Sequence, residues 1–188
     1  MTANELCRAC GDRLSLYAEV FSFTGLARRL MSQLGGGAAR AIGVECALGG
    51  VKKLNIINRN RARGEELVSV IAAHTPAEAE YFPWTGTAEL PEDTDILING
   101  TCVGLFPETD RYPDIDYQGI RPNMPVCDVV FNPVMPVFLQ KAQARGARVL
   151  TGLGMLVNQA ALNFELWTGK KAPVEIMADA LRREFEGK

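Results

Sequence analysis

The sequence predicts an α/β fold, a parallel β-sheet with helices on both faces. Three observations lead there. Short, mostly apolar runs recur at 53–57, 95–99 and 126–131, the kind of segment that is buried on both faces of a sheet. Stretches with helical spacing alternate with these runs. The run Gly35-Gly36-Gly37 leads straight into a strong helix opening, Ala38-Ala39-Arg40-Ala41-Ile42.

The elements follow in order. Residues 1–23 show no readable periodicity. Residues 24–33 (TGLARRLMSQ) read as a helix with Leu26, Leu30 and Met31 on one face. The helix after the glycines should run to about Leu48 and stop at Gly49-Gly50. Lys53 to Ile57 reads as a buried strand and Arg61 to Ala73 as a helix carrying Leu67, Val68, Val70 and Ile71. A loop-rich stretch, His74 to Pro91, holds a short strand near Tyr81 and Phe82. Asp95 to Asn99 is a strand and Pro107 to Pro122 a long loop. A strand is expected over Val126 to Phe131, a helix over Val137 to Ala144, and a strand over Ala147 to Leu150. Helices over Met155 to Trp167 and Val174 to Phe185 complete the chain. The division is then an irregular N-terminal segment with one helix, 1–33, and a dinucleotide-binding unit, 34–188.

Composition narrows the function. At 188 residues, 47 % hydrophobic and 22 % charged, the chain can bury a useful core. A net charge of −2 supplies no basic field, so no nucleic-acid partner is expected. No run of about 18 apolar residues exists, so no membrane partner is expected either. The N-terminus lacks the basic and apolar regions of a secretory signal, and five cysteines without framework spacing read as free thiols of a cytoplasmic protein. Cys7 and Cys10 have the spacing of half a zinc knuckle, but a second ligand pair is lacking, so no metal is expected. The single histidine, His74, reads as a surface residue, and Trp84 and Trp167 read as packing residues.

The glycine run carries the chemistry. A glycine turn opening a helix offers free backbone N–H groups and the positive end of the helix dipole, both of which attract phosphate. Against G-x-G-x-x-[GA], Gly36 and Ala39 fit and Leu34 replaces the first glycine. A dinucleotide fold places its ribose-selecting residue about 20 residues further on. Twenty-two residues beyond Gly36 the chain reads Asn58-Arg59-Asn60-Arg61-Ala62-Arg63. An NAD site wants an acid there; three arginines suit a 2′-phosphate instead. The expected fold is therefore a Rossmann-like, doubly wound sheet, and the expected cofactor is NADP(H).

Five segments together resemble the shikimate/quinate dehydrogenases. They are Gly36 to Ile42; Asn58-Arg59-Asn60 with Arg63; Asp95 to Gly104, with Asn99 and Thr101; Asp128 to Pro133, with Phe131 where tyrosine is usual; and Gly152 to Ala160 followed by Phe164, Trp167, Thr168 and Gly169. The last is the most specific. The resemblance implies reversible NADP-linked oxidation of shikimate or quinate to its 3-dehydro form. It implies that Gly35, Gly36, Gly37 and Ala38 hold the pyrophosphate, and that Asn58, Arg59, Asn60 and Arg63 hold the adenosine ribose and its phosphate. It implies that Thr101, Val129, Gly152 and Met155 line the nicotinamide and that Gln159 reaches the substrate. The family's catalytic Lys and Asp are not identifiable: Ser22 stands where the Asp is expected, and no segment matches that of the Lys. The strand that should precede the glycines is also not found, since Met31-Ser32-Gln33-Leu34 leads in directly. The chain thus reads as truncated, its first strand missing or degraded, with a homodimer or a separate chain supplying the substrate domain.

Overall fold

The computed structural model describes residues 13–17, 37–48 and 51–186. Six strands form one parallel sheet: β1 (Arg13–Tyr17), β2 (Lys53–Asn58), β3 (Glu78–Pro83), β4 (Leu97–Asn99), β5 (Pro125–Asp128) and β6 (Arg148–Leu150), in the order β3-β2-β1-β4-β5-β6. The chain starts in the middle, winds outward through β2 and β3, then returns to build β4, β5 and β6 on the other side. This is the doubly wound order of dinucleotide-binding sheets, with its switch point between β1 and β4. Ligands bind there, outside the carboxyl ends of the strands.

The expectation of a missing first strand is overturned. β1 fills the central position, with Leu14 opposite Leu54 on one side and Leu16 opposite Ile98 on the other. Two features hid it. It lies well before the glycines rather than against them, and Arg13-Leu14-Ser15-Leu16-Tyr17 alternates where a central parallel strand usually runs apolar. Part of the segment read as irregular is therefore built into the sheet. The helix expected over 24–33, the glycines Gly35 and Gly36, and residues Ser22, Cys7 and Cys10 lie outside the described residues.

Among the described residues there are five helices: α1 (Gly37–Leu48), α2 (Arg61–His74), α3 (Val137–Ala144), α4 (Leu153–Thr168) and α5 (Val174–Glu186). Strand alternation divides the core. Ile56, Ile98 and Cys127 face one cluster with Ile42 and Ala47 of α1 and Leu67 and Ile71 of α2. The neighbouring Ile57, Leu97 and Val126 face a second, with Phe138, Leu139 and Ala142 of α3 and Ile115, Ile120 and Met124 of the long loop after β4. Adjacent residues of a strand point to opposite faces, so both faces are buried.

Several boundaries differ from expectation, among them β4, which begins at Leu97 rather than Asp95. β3 spans six residues rather than two, paired along its whole length to β2. β5 ends at Asp128, not Phe131, because the Asp128 carboxylate accepts the N–H of Val130 and turns the chain away from the sheet. The long loop after β4 contains a 3-10 turn, Tyr117–Gly119. One tryptophan also departs from its reading: Trp84 packs partly against the second cluster, whereas Trp167 is 82 % exposed. His74 ends α2 and is exposed.

Candidate functional site

The carboxyl end of β2 runs into α2 through Asn58, Arg59 and Asn60. Asn58 is buried, and its side-chain oxygen accepts the N–H of Asn60 at 2.8 Å. Asn60 caps α2, its side-chain oxygen accepting the N–H of Arg63 at 3.1 Å. Caps of this kind satisfy N–H groups that a helix start leaves without partners. Both asparagine oxygens therefore shape the turn. The turn pushes Arg59 and Arg63 into solvent, with no acid in the first turn of the helix. Arg61 points to Glu65 at 2.7 Å instead. The turn is braced from β3, where the Tyr81 hydroxyl donates to the Asn58 carbonyl at 3.0 Å. Tyr81 lies so close to α2 that only glycine fits at position 64; a Cβ there would stand 2.2 Å from its ring.

A second group knits the ends of β4 and β5. Asn99 is wholly buried and donates its amide to Asp128 Oδ1 at 3.0 Å. Its own oxygen accepts both the N–H and the hydroxyl of Thr101, at 3.0 and 2.8 Å. The Thr101 oxygen accepts the N–H of Val103 at 3.1 Å. The network thus sets the path of both loops that leave the sheet beside the switch point. Asp128 is 2 % exposed and its second oxygen, Oδ2, has no hydrogen-bond partner. Burial raises its carboxyl from the ordinary 3.8 to about 7, against the hydrogen bonds from Val130 and Asn99, which pull it down.

The third corner is the start of α4. Gly152 is buried against the loop after β5; a Cβ there would stand 2.3 Å from the Val129 carbonyl oxygen and 2.7 Å from that of Val130. Those are backbone atoms, so only glycine allows the approach. The structure thereby brings Val129 and Gly152 together, with Thr101 one strand away. Met155 packs partly against the first core cluster, and Gln159 is half-buried one turn further along α4. Phe131 stacks on Phe185 of α5, ring centres 5.9 Å apart, which ties the last helix to this corner. Gly37 begins α1.

Two features escaped the sequence reading. One is the buried carboxyl of Asp128, signalled by a lone acid closing the apolar run Val126-Cys127. The other is Arg111, brought by the long loop to a cavity that Arg59 and Trp84 also line. Nothing local in the sequence marks Arg111. Among the described residues no group of three His, Cys, Asp or Glu could hold a metal ion.

Comparison with known proteins agrees with this geometry. Residues 152–182 match the family model described as Shikimate 5'-dehydrogenase C-terminal domain. A shikimate dehydrogenase (NADP(+)) of Desulforamulus reducens is 38 % identical over 151 residues, covering 79 % of this chain and 52 % of that protein. The chain spans about half the length of the curated relatives it matches. A 5-ketofructose reductase of Gluconobacter superposes with a TM-score of 0.76 at 33 % identity, over 98 % of this chain and 59 % of that one. A shikimate 5-dehydrogenase of Listeria monocytogenes, solved with shikimate and NAD, superposes with a TM-score of 0.72 at 27 % identity, over 95 % of this chain and 59 % of that one. With its doubly wound sheet, its glycine at the start of α4 and these relatives, the chain belongs to the shikimate dehydrogenase family and corresponds to its C-terminal portion.

Proposed function

We propose that this chain binds NADP(H) and serves the NADP-linked reduction of 3-dehydroshikimate to shikimate, or the quinate equivalent. The observation that carries the reading is the β2–α2 turn. It carries Arg59 and Arg63, both exposed, with no acid in the first turn of the helix, where this fold places the adenosine ribose. A 2′-phosphate fits two guanidinium groups, whereas a ribose hydroxyl is ordinarily met by an acid at this turn. The relatives named as NADP(+) enzymes support the same cofactor.

In this reading Arg59 and Arg63 hold the 2′-phosphate, while Asn58 and Asn60 shape the turn that presents them. Gly35, Gly36, Gly37 and Ala38 admit the pyrophosphate to the start of α1. Thr101, Val129, Gly152 and Met155 form the wall behind the nicotinamide, and the Asn99–Asp128 pair fixes that wall. Gln159 turns toward the substrate. When bound, the cofactor supplies the hydride; the protein orients it and keeps water out.

The test is loss of NADPH absorbance with 3-dehydroshikimate, 3-dehydroquinate and 5-ketofructose offered in turn, the last because of the likeness to a 5-ketofructose reductase. Turnover of the first or second supports the reading. Turnover of 5-ketofructose alone refutes the substrate and keeps the reaction class. NADPH binding without turnover of any of them supports a catalytically silent NADP(H)-binding module, which Ser22 at the expected position of the catalytic Asp favours.

A further inference from the structure

A cavity of about 210 Å³ opens beside the β2–α2 turn. Arg59 and Trp84 line it together with Arg111, Tyr112 and Asp114 of the long loop after β4. The Arg59 guanidinium carbon lies over the Trp84 ring, 5.8 Å from its centre, a cation–π contact that holds Arg59 beside the cavity.

The loop that carries Arg111 is built and held. Gly104 adopts φ +91°, and a Cβ there would stand 2.8 Å from the Arg111 carbonyl oxygen, so the loop closes on itself only with glycine. Backbone bonds from Leu105 to Cys102, Glu108 to Leu105 and Arg111 to Glu108 wind it. Its far end is pinned to the strand-β3 side. Trp84 Nε1 and the Ala88 N–H both donate to the Asp114 carbonyl at 3.0 Å, and the Thr87 hydroxyl donates to the Asp114 carboxylate at 2.9 Å. Lys141 of α3 sits 4.4 Å from the centre of the Tyr112 ring and braces the next residue. Arg111 is thus delivered to the cavity by anchored backbone. Its side chain is 58 % exposed and its guanidinium rests on Glu108 at 3.0 Å, a surface pair of small intrinsic worth that an incoming dianion can displace.

We infer that Arg111 is a specificity-determining residue of the nucleotide site: a third cation that meets the 2′-phosphate, from the loop that lines the same cavity as Arg59. The inference rests on the NADP(H) reading above and adds a residue from a different loop. Asp114 lies in the same cavity, but its carboxylate is engaged by Thr87. Glu108 competes with the phosphate for Arg111, so removing it should strengthen binding.

Titration of the full chain with NADPH and with NADH, followed by nucleotide fluorescence, tests this. Arg111→Ala should raise the NADPH dissociation constant about tenfold while moving that for NADH less than about twofold, as loss of one charge-assisted phosphate contact would. Arg111→Lys should recover part of the loss. Glu108→Ala should lower the NADPH constant by about two- to threefold, the worth of a surface pair. Both positions are exposed, so folding is not at stake. A wild-type preference for NADPH that Arg111→Ala leaves intact overturns the inference alone. Equal losses for both nucleotides overturn it as well. No nucleotide binding by the wild-type chain overturns both the inference and the reading beneath it.

Discussion

Asp128 offers the sharpest test of the site's electrostatics. Its carboxyl is 2 % exposed, holds two donors on Oδ1 and leaves Oδ2 without a partner. Burial carries it from the ordinary 3.8 to about 7. The folded protein therefore holds this proton more tightly than the unfolded chain does. The stabilisation it contributes is complete below about pH 4 and is lost as pH rises through about 7. A displacement of that size corresponds to on the order of 4 kcal/mol between those limits. Asn at 128 resembles the protonated acid in shape and keeps one acceptor for Asn99 and Val130, but it does not titrate. Urea unfolding of wild type and Asp128→Asn should give similar stabilities at pH 4. By pH 8 the variant should be the more stable, with a midpoint higher by roughly 2 M if the denaturant slope is about 2 kcal/mol per molar. Subtracting the two curves removes the contribution of every other carboxylate. A difference that does not change with pH would refute the reasoning, as would a wild type that gains on the variant toward pH 8.

Further expectations concern the other corners. Arg59→Ala with Arg63→Ala should weaken NADPH by tenfold or more, at about 1.5 kcal/mol for each lost charged hydrogen bond, and NADH far less; equal losses in a binding titration would sink the 2′-phosphate assignment. Gly152→Ala drives a methyl into the Val129 and Val130 carbonyls, which cannot give way as a side chain would. It should cost roughly 1–3 kcal/mol by denaturant unfolding, and unchanged stability would contradict the close approach. Gln159→Ala should leave NADPH affinity nearly unaltered while raising KM for the ketone; a large loss of nucleotide affinity would remove it from the substrate side.

Periodicity exposed much of this fold, and the reason is physical. β2, β4 and β5 sit between neighbours with both faces covered, so their cores read as apolar runs. The helices announced themselves through apolar spacing, such as Leu67, Val68, Val70 and Ile71 in α2, and through glycine stops such as Gly49-Gly50 after α1. β1 escaped because it alternates and because it lies far from the glycines. Trp167 escaped because an aromatic side chain in a helix is ordinarily covered, and here it is not. Within the site, the turn residues were visible as a motif, but their division of labour was not: only the structure shows Asn58 and Asn60 bonded to the backbone of the turn and Arg59 and Arg63 exposed. Arg111 reaches the cavity through a loop whose closure depends on Gly104, a long-range arrangement that no local pattern encodes.

The central claim is that this chain carries a working NADP(H) site, and thermal unfolding with saturating NADPH or NADH tests it most directly. A ligand that binds only the folded state adds about 2.7 kcal/mol at 100 times its dissociation constant. For a chain of this length that is a rise in Tm of roughly 5–10 °C. The account predicts that rise with NADPH and a clearly smaller one with NADH at the same concentration. An equal rise with both would contradict the role of the arginines, and no rise with either would contradict the site itself.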